Sequence, residues 1–332
     1  MSPGSGVSAG GGLTLSQGAF EPKKTKPGVT ITSGIRLMYV YGPPPSGRFR
    51  PACSEPDRSR GSHGPGSLQL KAKHPETFTP HYISFTAEQY ELMVRTFRLP
   101  FRAIEGTSVV GPFFWSAYDQ DDDNPHLQII FRKSDVRKNG FTRGWELMLS
   151  HEFRTGITTG YAKGTASSDM IEAVRHLRAC AGQTGHPMLL PVIILSHDLS
   201  SKTDQKQRDV REWLRKLEHA VSMRNDIVES EGYVKNAVFD IEQITRDLVE
   251  CHSQTLWKRP QAYVEIIHEM DKAMQRFRDR LPAGRDAGEI DRLHRSMASR
   301  LEFYHAKQKG IENYVSTTLA RLDLQRSAVR TP

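Results

Sequence analysis

From Ile290 to Leu322 the chain steps by threes and fours through Ile290, Leu293, Met297, Leu301, Tyr304, Gln308, Ile311, Val315, Thr318 and Leu322. Such spacing is that of one face of an α-helix, and no strand or loop shares it. Continued from Glu289 to Val329 at 1.5 Å per residue, it predicts a helix roughly 60 Å long. That exceeds the width of an ordinary compact domain, so a stalk is expected. Gly310 is its one weak point, costing about 1 kcal/mol against alanine. The apolar members Ile290, Leu293, Met297, Leu301, Tyr304, Ile311, Val315 and Leu322 are expected to form a seam that meets other helices, including those of a second copy or a helical partner.

The rest of the 332 residues divide into three regions: 1–80, 81–200 and 201–332. The first lacks periodicity and is rich in Gly, Pro and Ser, so it is expected to be a disordered tail. Its one apolar patch, "IRLMYV" (Ile35–Val40), suits an isolated strand. The tail carries most of the chain's net charge of +8: residues 1–81 hold ten Lys/Arg against four Asp/Glu. No aromatic interleaving or nucleic-acid motif accompanies these charges, and no nucleic-acid partner is expected.

Region 81–200 mixes signals. Thr86 and Gln89 have capping-box spacing ahead of Tyr90, Met93 and Phe97. "HLQIIF" (His126–Phe131), "WELMLSHEF" (Trp145–Phe153), "GITTGY" (Gly156–Tyr161) and "MLLPVIIL" (Met188–Leu195) read as strands, the last with Pro191 favouring an edge. "DMIEAVRHLRAC" (Asp169–Cys180) reads as a helix. Beyond Ser200 the pattern is helical throughout. The expected fold class is therefore α+β, a small mixed-sheet domain followed by a helical domain with a long C-terminal helix.

No run reaches the roughly 20 apolar residues of a membrane span. The mean hydropathy is −0.54. Three cysteines far apart do not make a disulfide framework, and a reducing, cytoplasmic setting is expected.

The candidate chemistry is thin. "GITTGYAKGT" (Gly156–Thr165) places Lys163 in the wrong register for a phosphate loop and is expected to be a turn between strand and helix. "SHD" (Ser196–Asp198) puts three triad residue types side by side, where they cannot converge, and suits a strand exit. His176 and Cys180 lie one turn apart but lack a second ligand pair. The acidic run around Asp121, Asp122 and Asp123 is the best candidate for a hard cation such as weakly bound Mg2+, although it lacks the calcium-loop pattern and also suits a solvated loop. No residue takes a catalytic role, and the chain is not expected to be an enzyme.

The blocks "QRDVREWLRKLEHAVSMR", "RDLVECHSQTLWKRPQAY", "LHRSMASRLEFYHAKQKGIENYVSTTLARLDLQRSA", "WELMLSHEFRTGITTGYAKGT" and "HPMLLPVIIL" resemble the cytosolic portion of fungal CorA-like proteins. These are relatives of the magnesium-transport family that includes the ZntB-type zinc transporters. The resemblance spans roughly residues 83–326. It implies a cytosolic α/β domain followed by helices, the last of which enters the membrane as the first of two spans in a pentameric pore guarded by a Gly-Met-Asn motif. This sequence contains neither spans nor that motif. The expectation is a truncated cytosolic domain that cannot transport an ion by itself, cytoplasmic as written, and at the membrane if a further C-terminal region or a full-length CorA-like subunit supplies the spans. The alternative is a free-standing helical interaction module.

Overall fold

Strict alternation of side chains in three consecutive segments dictates a sheet that is buried on both faces. In the computed structural model, which describes residues 34–41, 85–105, 111–121, 123–136, 142–164, 168–180, 183–223, 232–235, 238–256, 259–281 and 287–330, these segments are β3 (His126–Val136), β4 (Thr142–Glu152) and β5 (Ile157–Gly164). Leu127, Ile129 and Phe131 of β3, Leu147 and Leu149 of β4, and Ala162 of β5 share one face; Ile130, Met148 and Tyr161 share the other. Registers Ile130↔Met148 and Met148↔Tyr161 bring like faces together. Two further strands complete a five-stranded sheet of order β1-β5-β4-β3-β2, namely β1 (Gly34–Tyr41) and β2 (Phe113–Tyr118).

β1 corrects one expectation. "IRLMYV" is not isolated but pairs parallel with β5, Leu37 opposite Gly160. At Gly160 a Cβ would lie 2.5 Å from the Leu149 side chain and 2.9 Å from the Met148 carbonyl oxygen, so only glycine lets these strands pack. The remainder of the expected tail lies outside the described residues.

Short α1 (Ala87–Thr96) lies over the Ile130–Met148–Tyr161 face and is opened by the expected capping box: Thr86 Oγ1 accepts from Gln89 N, and Gln89 Oε1 from Thr86 N. The opposite face carries the main core, built with α2 (Met170–Ala179), α3 (Leu189–Asp198) and α6 (Pro260–Asp279).

α3 is a second correction, since "MLLPVIIL" is a helix and not an edge strand. Leu189, Leu190, Val192, Ile193, Ile194 and Leu195 are all buried. A helix covered on every side has no polar face, and therefore no period to betray it. Pro191 is its third residue, where a missing N–H costs nothing because the first four have no intrahelical acceptor. "SHD" is accordingly the last turn of a helix.

α4 (Ser201–Ser222) and α5 (Ile241–Thr255) form a third core from Val210, Leu214, Leu217, Ile244, Leu248 and Cys251. A two-residue hairpin, β6 (Val234–Lys235) with β7 (Val238–Phe239), precedes α5. Asp240 caps α5 by accepting from Gln243 N at 2.9 Å.

The long helix is real. α7 runs unbroken over Ala287–Arg330, 44 residues or about 66 Å. Its seam, however, is filled by the chain's own helices. Met297 and Leu301 enter the main core, with Ile290, Leu293 and Tyr304 packed partly buried against it. Val315 is buried, Ile311 half-buried, and Leu322 is completely buried between α4 and α5 in the third core. Gln308 and Thr318, the polar steps of the stripe, are buried too. A stalk exposing this seam to a second copy is therefore not what the structure contains. The helix spans two cores of one protomer.

Candidate functional site

The acidic run is the loop of the β2–β3 hairpin. Asp119 accepts from His126 N at 2.8 Å, and its other oxygen lies 3.5 Å from His126 Nδ1. Asp121 receives Arg98 Nη1 at 2.6 Å and Asn124 N at 3.1 Å. The Arg98 hydrogen bond first, and the Asn124 amide second, hold the Asp121 carboxyl below the usual carboxylate range. Asp123 is exposed, and Asp122 lies outside the described residues. The carboxylates of Asp119 and Asp121 thus close a turn from within, and a cation at Asp121 has to displace Arg98.

Lys163, weighed as a phosphate-loop lysine, is within β5 and not in a turn. It stands opposite Glu146, which stands opposite Arg132, so one row of charge crosses three strands on the α1 side of the sheet. Burial lowers the Lys163 ammonium to about 8 against the pull of Glu146. Burial likewise raises the Glu146 carboxyl, opposed by Lys163 and Arg132. The row therefore holds one carboxylate between two cationic side chains inside the sheet.

The sequence gives no hint of a second buried group, the pair His186 and His294. His186 precedes α3 and His294 sits on α7; His186 Nε2 and His294 Nδ1 are 3.1 Å apart. Met188 N donates to His186 Nδ1 at 3.2 Å. That makes Nδ1 an acceptor, so His186 carries its proton on Nε2 and donates to His294, and both rings are neutral. Phe277 of α6 packs on His186 with ring centroids 4.1 Å apart. Burial pushes His186 well below 6.5, with His294 and His151 adding to it. Burial and then Arg278 lower His294, while Asp291 and Asp271 oppose.

The sign of the resulting pH dependence is fixed. Below 6.5 the unfolded chain takes up protons that the folded pair refuses, so stability is complete above that pH and falls as pH drops through it. Acidification should lower the melting temperature, with a slope of up to about 1.4 kcal/mol per pH unit for each histidine. His294→Gln, whose amide oxygen can still accept from His186, should flatten the slope measured by thermal melts across pH. An unchanged slope would remove this pair as its source.

His176 and Cys180 do not form a site. His176 packs edge-on against His197, ring centroids 5.7 Å apart, and Cys180 is the half-buried C-cap of α2. Burial raises Cys251, between Glu250 and His252, to about 11, and its thiol reaches the Val210 carbonyl. A groove of about 530 Å³ between α6 and α7 is lined by His268, Asp271, Glu302 and His305 among others. Among the described residues, no three His, Cys, Asp or Glu side chains converge closely enough to hold a metal.

A second groove, of about 550 Å³, opens between the end of α1, the turn Phe101–Ala103 and β2. α1 ends in a Schellman arrangement: Leu99 N reaches Val94 O at 2.9 Å and Arg98 N reaches Arg95 O at 3.2 Å. The left-handed position, which glycine normally takes, is held by Arg98 at φ 50°. A side chain there costs about 1–2 kcal/mol. Gln128 Nε2 donates to the Arg98 carbonyl at 3.0 Å and fixes the turn. Arg95, Arg98 and Arg102 all line this groove, together with Trp115 of β2 and the exposed Phe101. Arg102 stands over the Trp115 ring at 5.9 Å. In sequence these arginines look like ordinary surface residues; only the helix end and the β2 edge bring them around an indole.

No family model matches the sequence, and no curated protein matches it. Among solved structures, the chain is similar to the ZntB cytoplasmic domain from Vibrio parahaemolyticus, with 12% identity over 73% of this chain and 82% of that one, at a TM-score of 0.38.

Proposed function

We propose that the chain acts as a CorA-like cytosolic domain, without an enzymatic activity of its own and without forming a pore by itself. The observation that carries this reading is α7. A single 44-residue helix is packed at one end into the sheet domain's core and at the other into the α4–α5 core. A displacement imposed on the sheet domain is therefore carried along a rigid rod to the far end. The order of elements, a sheet body and then helices ending in one long helix, is also the order that the resembling sequence blocks imply. Two of the buried polar pairs join elements of the fold: Lys133 pairs with Asp198, and His186 with His294. No described helix is long and apolar enough to cross a membrane.

The reading is tested in proteoliposomes. The chain reconstituted alone should give Mg2+ and Zn2+ uptake no higher than empty vesicles. Coexpressed with a membrane-spanning CorA-like subunit, it should co-purify in detergent and alter that subunit's flux. Ion uptake by the chain alone, or failure to co-purify, would overturn the proposal.

A helical interaction module is the second reading, favoured by Phe303 and Leu324, which are 63% and 65% exposed on α7. With the seam internal, any self-association has to use such outward residues. Sedimentation velocity should then show concentration-dependent mass that Phe303→Ser with Leu324→Ser abolishes. A monomer at all concentrations would dismiss it.

A further inference from the structure

We propose that the groove at the end of α1 binds a nucleoside phosphate, its base stacked on Trp115 and its phosphate held by Arg98 and Arg102. Charge is the first reason. The lining carries Arg95, Arg98 and Arg102 against the carboxylate of Asp119, which is engaged by His126. Arg95 and Arg98 meet Glu91 and Asp121 in exposed ion pairs, and Arg102 faces the indole. Guanidinium groups present a planar fork of donors that matches phosphate oxygens two at a time.

The flat surfaces are the second reason. Trp115 is half-buried in the groove lining, and Phe101 stands 60% exposed at its rim. The Arg102 guanidinium lies 5.9 Å from the indole centroid. A ring stacked between two planar groups needs them about 7 Å apart, so the exposed Arg102 side chain has to swing outward to admit one. Bases stack on aromatic side chains without regard to sequence, and a guanidinium on the other face adds to the hold.

Arg98 is the third. The chain accepts a left-handed backbone where glycine would be unstrained, and the result is a guanidinium on the groove wall. Strain of this kind, held by the surrounding structure, is a pointer to function. The contact with Asp121 does not block Arg98: the two side chains are 46% and 36% exposed, and an ion pair this open to water contributes little. A phosphate can share or replace Asp121 at small cost.

Volume and sign favour a single small ligand. A groove of about 550 Å³ is of small-molecule size. The cationic lining is confined to the short stretch of Arg95, Arg98 and Arg102, which ends at the β2–β3 hairpin and gives no track for a polynucleotide backbone.

Calorimetry on the full chain at low salt tests this, with AMP and GMP as probes. Inorganic phosphate, phenyl phosphate and a short single-stranded oligonucleotide serve as comparisons. One mononucleotide per chain should bind at least tenfold more tightly than phosphate or phenyl phosphate. Arg98→Gly should lower that affinity at least tenfold while its melting temperature stays level or rises, because glycine relieves the φ 50° backbone. Trp115→Leu should lower it comparably, with folding checked by circular dichroism. No binding at millimolar nucleotide, or full affinity in folded Arg98→Gly, would overturn the assignment. Phenyl phosphate binding as tightly as AMP would overturn it in favour of a phosphotyrosine side chain, and tighter oligonucleotide binding in favour of a strand.

Discussion

Leu301→Asp is expected to unfold the protein, not to dissociate it. Leu301 is 2% exposed in the main core, where α7 packs against α6 and the sheet body. Removing a buried leucine costs about 2–5 kcal/mol, and placing a carboxylate in the same apolar space adds several more. Against a total stability of about 5–15 kcal/mol, the sum leaves little or no folded population. A stalk whose seam faced a second copy would respond differently: the monomer would stay folded and only the oligomer would be lost. Leu322→Asp separates the two ends of the rod. Leu322 lies wholly within the third core, so its loss should release α4 and α5 from α7 while β3–β5 keep their protection from hydrogen exchange. Phe303→Asp, at a 63% exposed position of the same helix, should leave the melt nearly unchanged. Circular dichroism and hydrogen exchange on the three variants decide the matter. A folded, monomeric Leu301→Asp protein would mean that α7 does not pack where the structure places it.

The elements legible in the sequence were those with one wet and one dry side. The steps of three and four from Ile290 to Leu322 revealed α7 because its outer face remains polar. "HLQIIF" was legible for a different reason: a short run rich in isoleucine and phenylalanine reads as a strand even though both of its faces end in cores. The run in α3 had no wet side, and an apolar stretch that follows Pro187 and contains Pro191 reads equally well as strand or helix. β1 was hidden for another reason. Its pairing with β5 joins residues more than 120 positions apart, and nothing local in a Gly- and Pro-rich region announces such a partner. β2, "FFWSAY", shows no period of two, since Phe113, Phe114 and Trp115 are all apolar, and only its pairing with β3 marks it as a strand. Among site residues, Asp121 was visible as part of a charge run, but its engagement by Arg98 was not. The Arg98–Trp115 groove and the His186–His294 pair are assembled entirely by tertiary structure. Composition showed the residues; only the fold supplied the distances.

Asp198→Ala is expected to cost about 3–5 kcal/mol, the penalty for breaking a buried ion pair from one side. Asp198 ends α3 and is 5% exposed. Its Oδ1 receives Lys133 Nζ of β3 at 2.7 Å, and its Oδ2 receives the Tyr263 hydroxyl of α6 at 2.7 Å. One carboxylate therefore ties the sheet, the fully buried helix and α6 together, and Lys133 Nζ also lies 6.0 Å from the Tyr263 ring centroid. Alanine takes both hydrogen bonds away and leaves an ammonium only slightly exposed to water, which is why the loss exceeds that of a surface pair. Asp198→Asn should fall between, since its amide oxygen can keep one of the two bonds while the charge goes. Removing both charges is the informative comparison: Lys133→Met with Asp198→Leu replaces the pair with side chains of similar reach in an apolar setting. The double variant should be more stable than Asp198→Ala and come within about 1–2 kcal/mol of the unaltered chain, as buried pairs exchanged for apolar groups commonly do. Urea melts of the singles and the double form a cycle whose coupling should amount to at least 1 kcal/mol. Strictly additive losses would show that Lys133 and Asp198 do not meet, and that α3 is held to the sheet by its leucines and isoleucines alone.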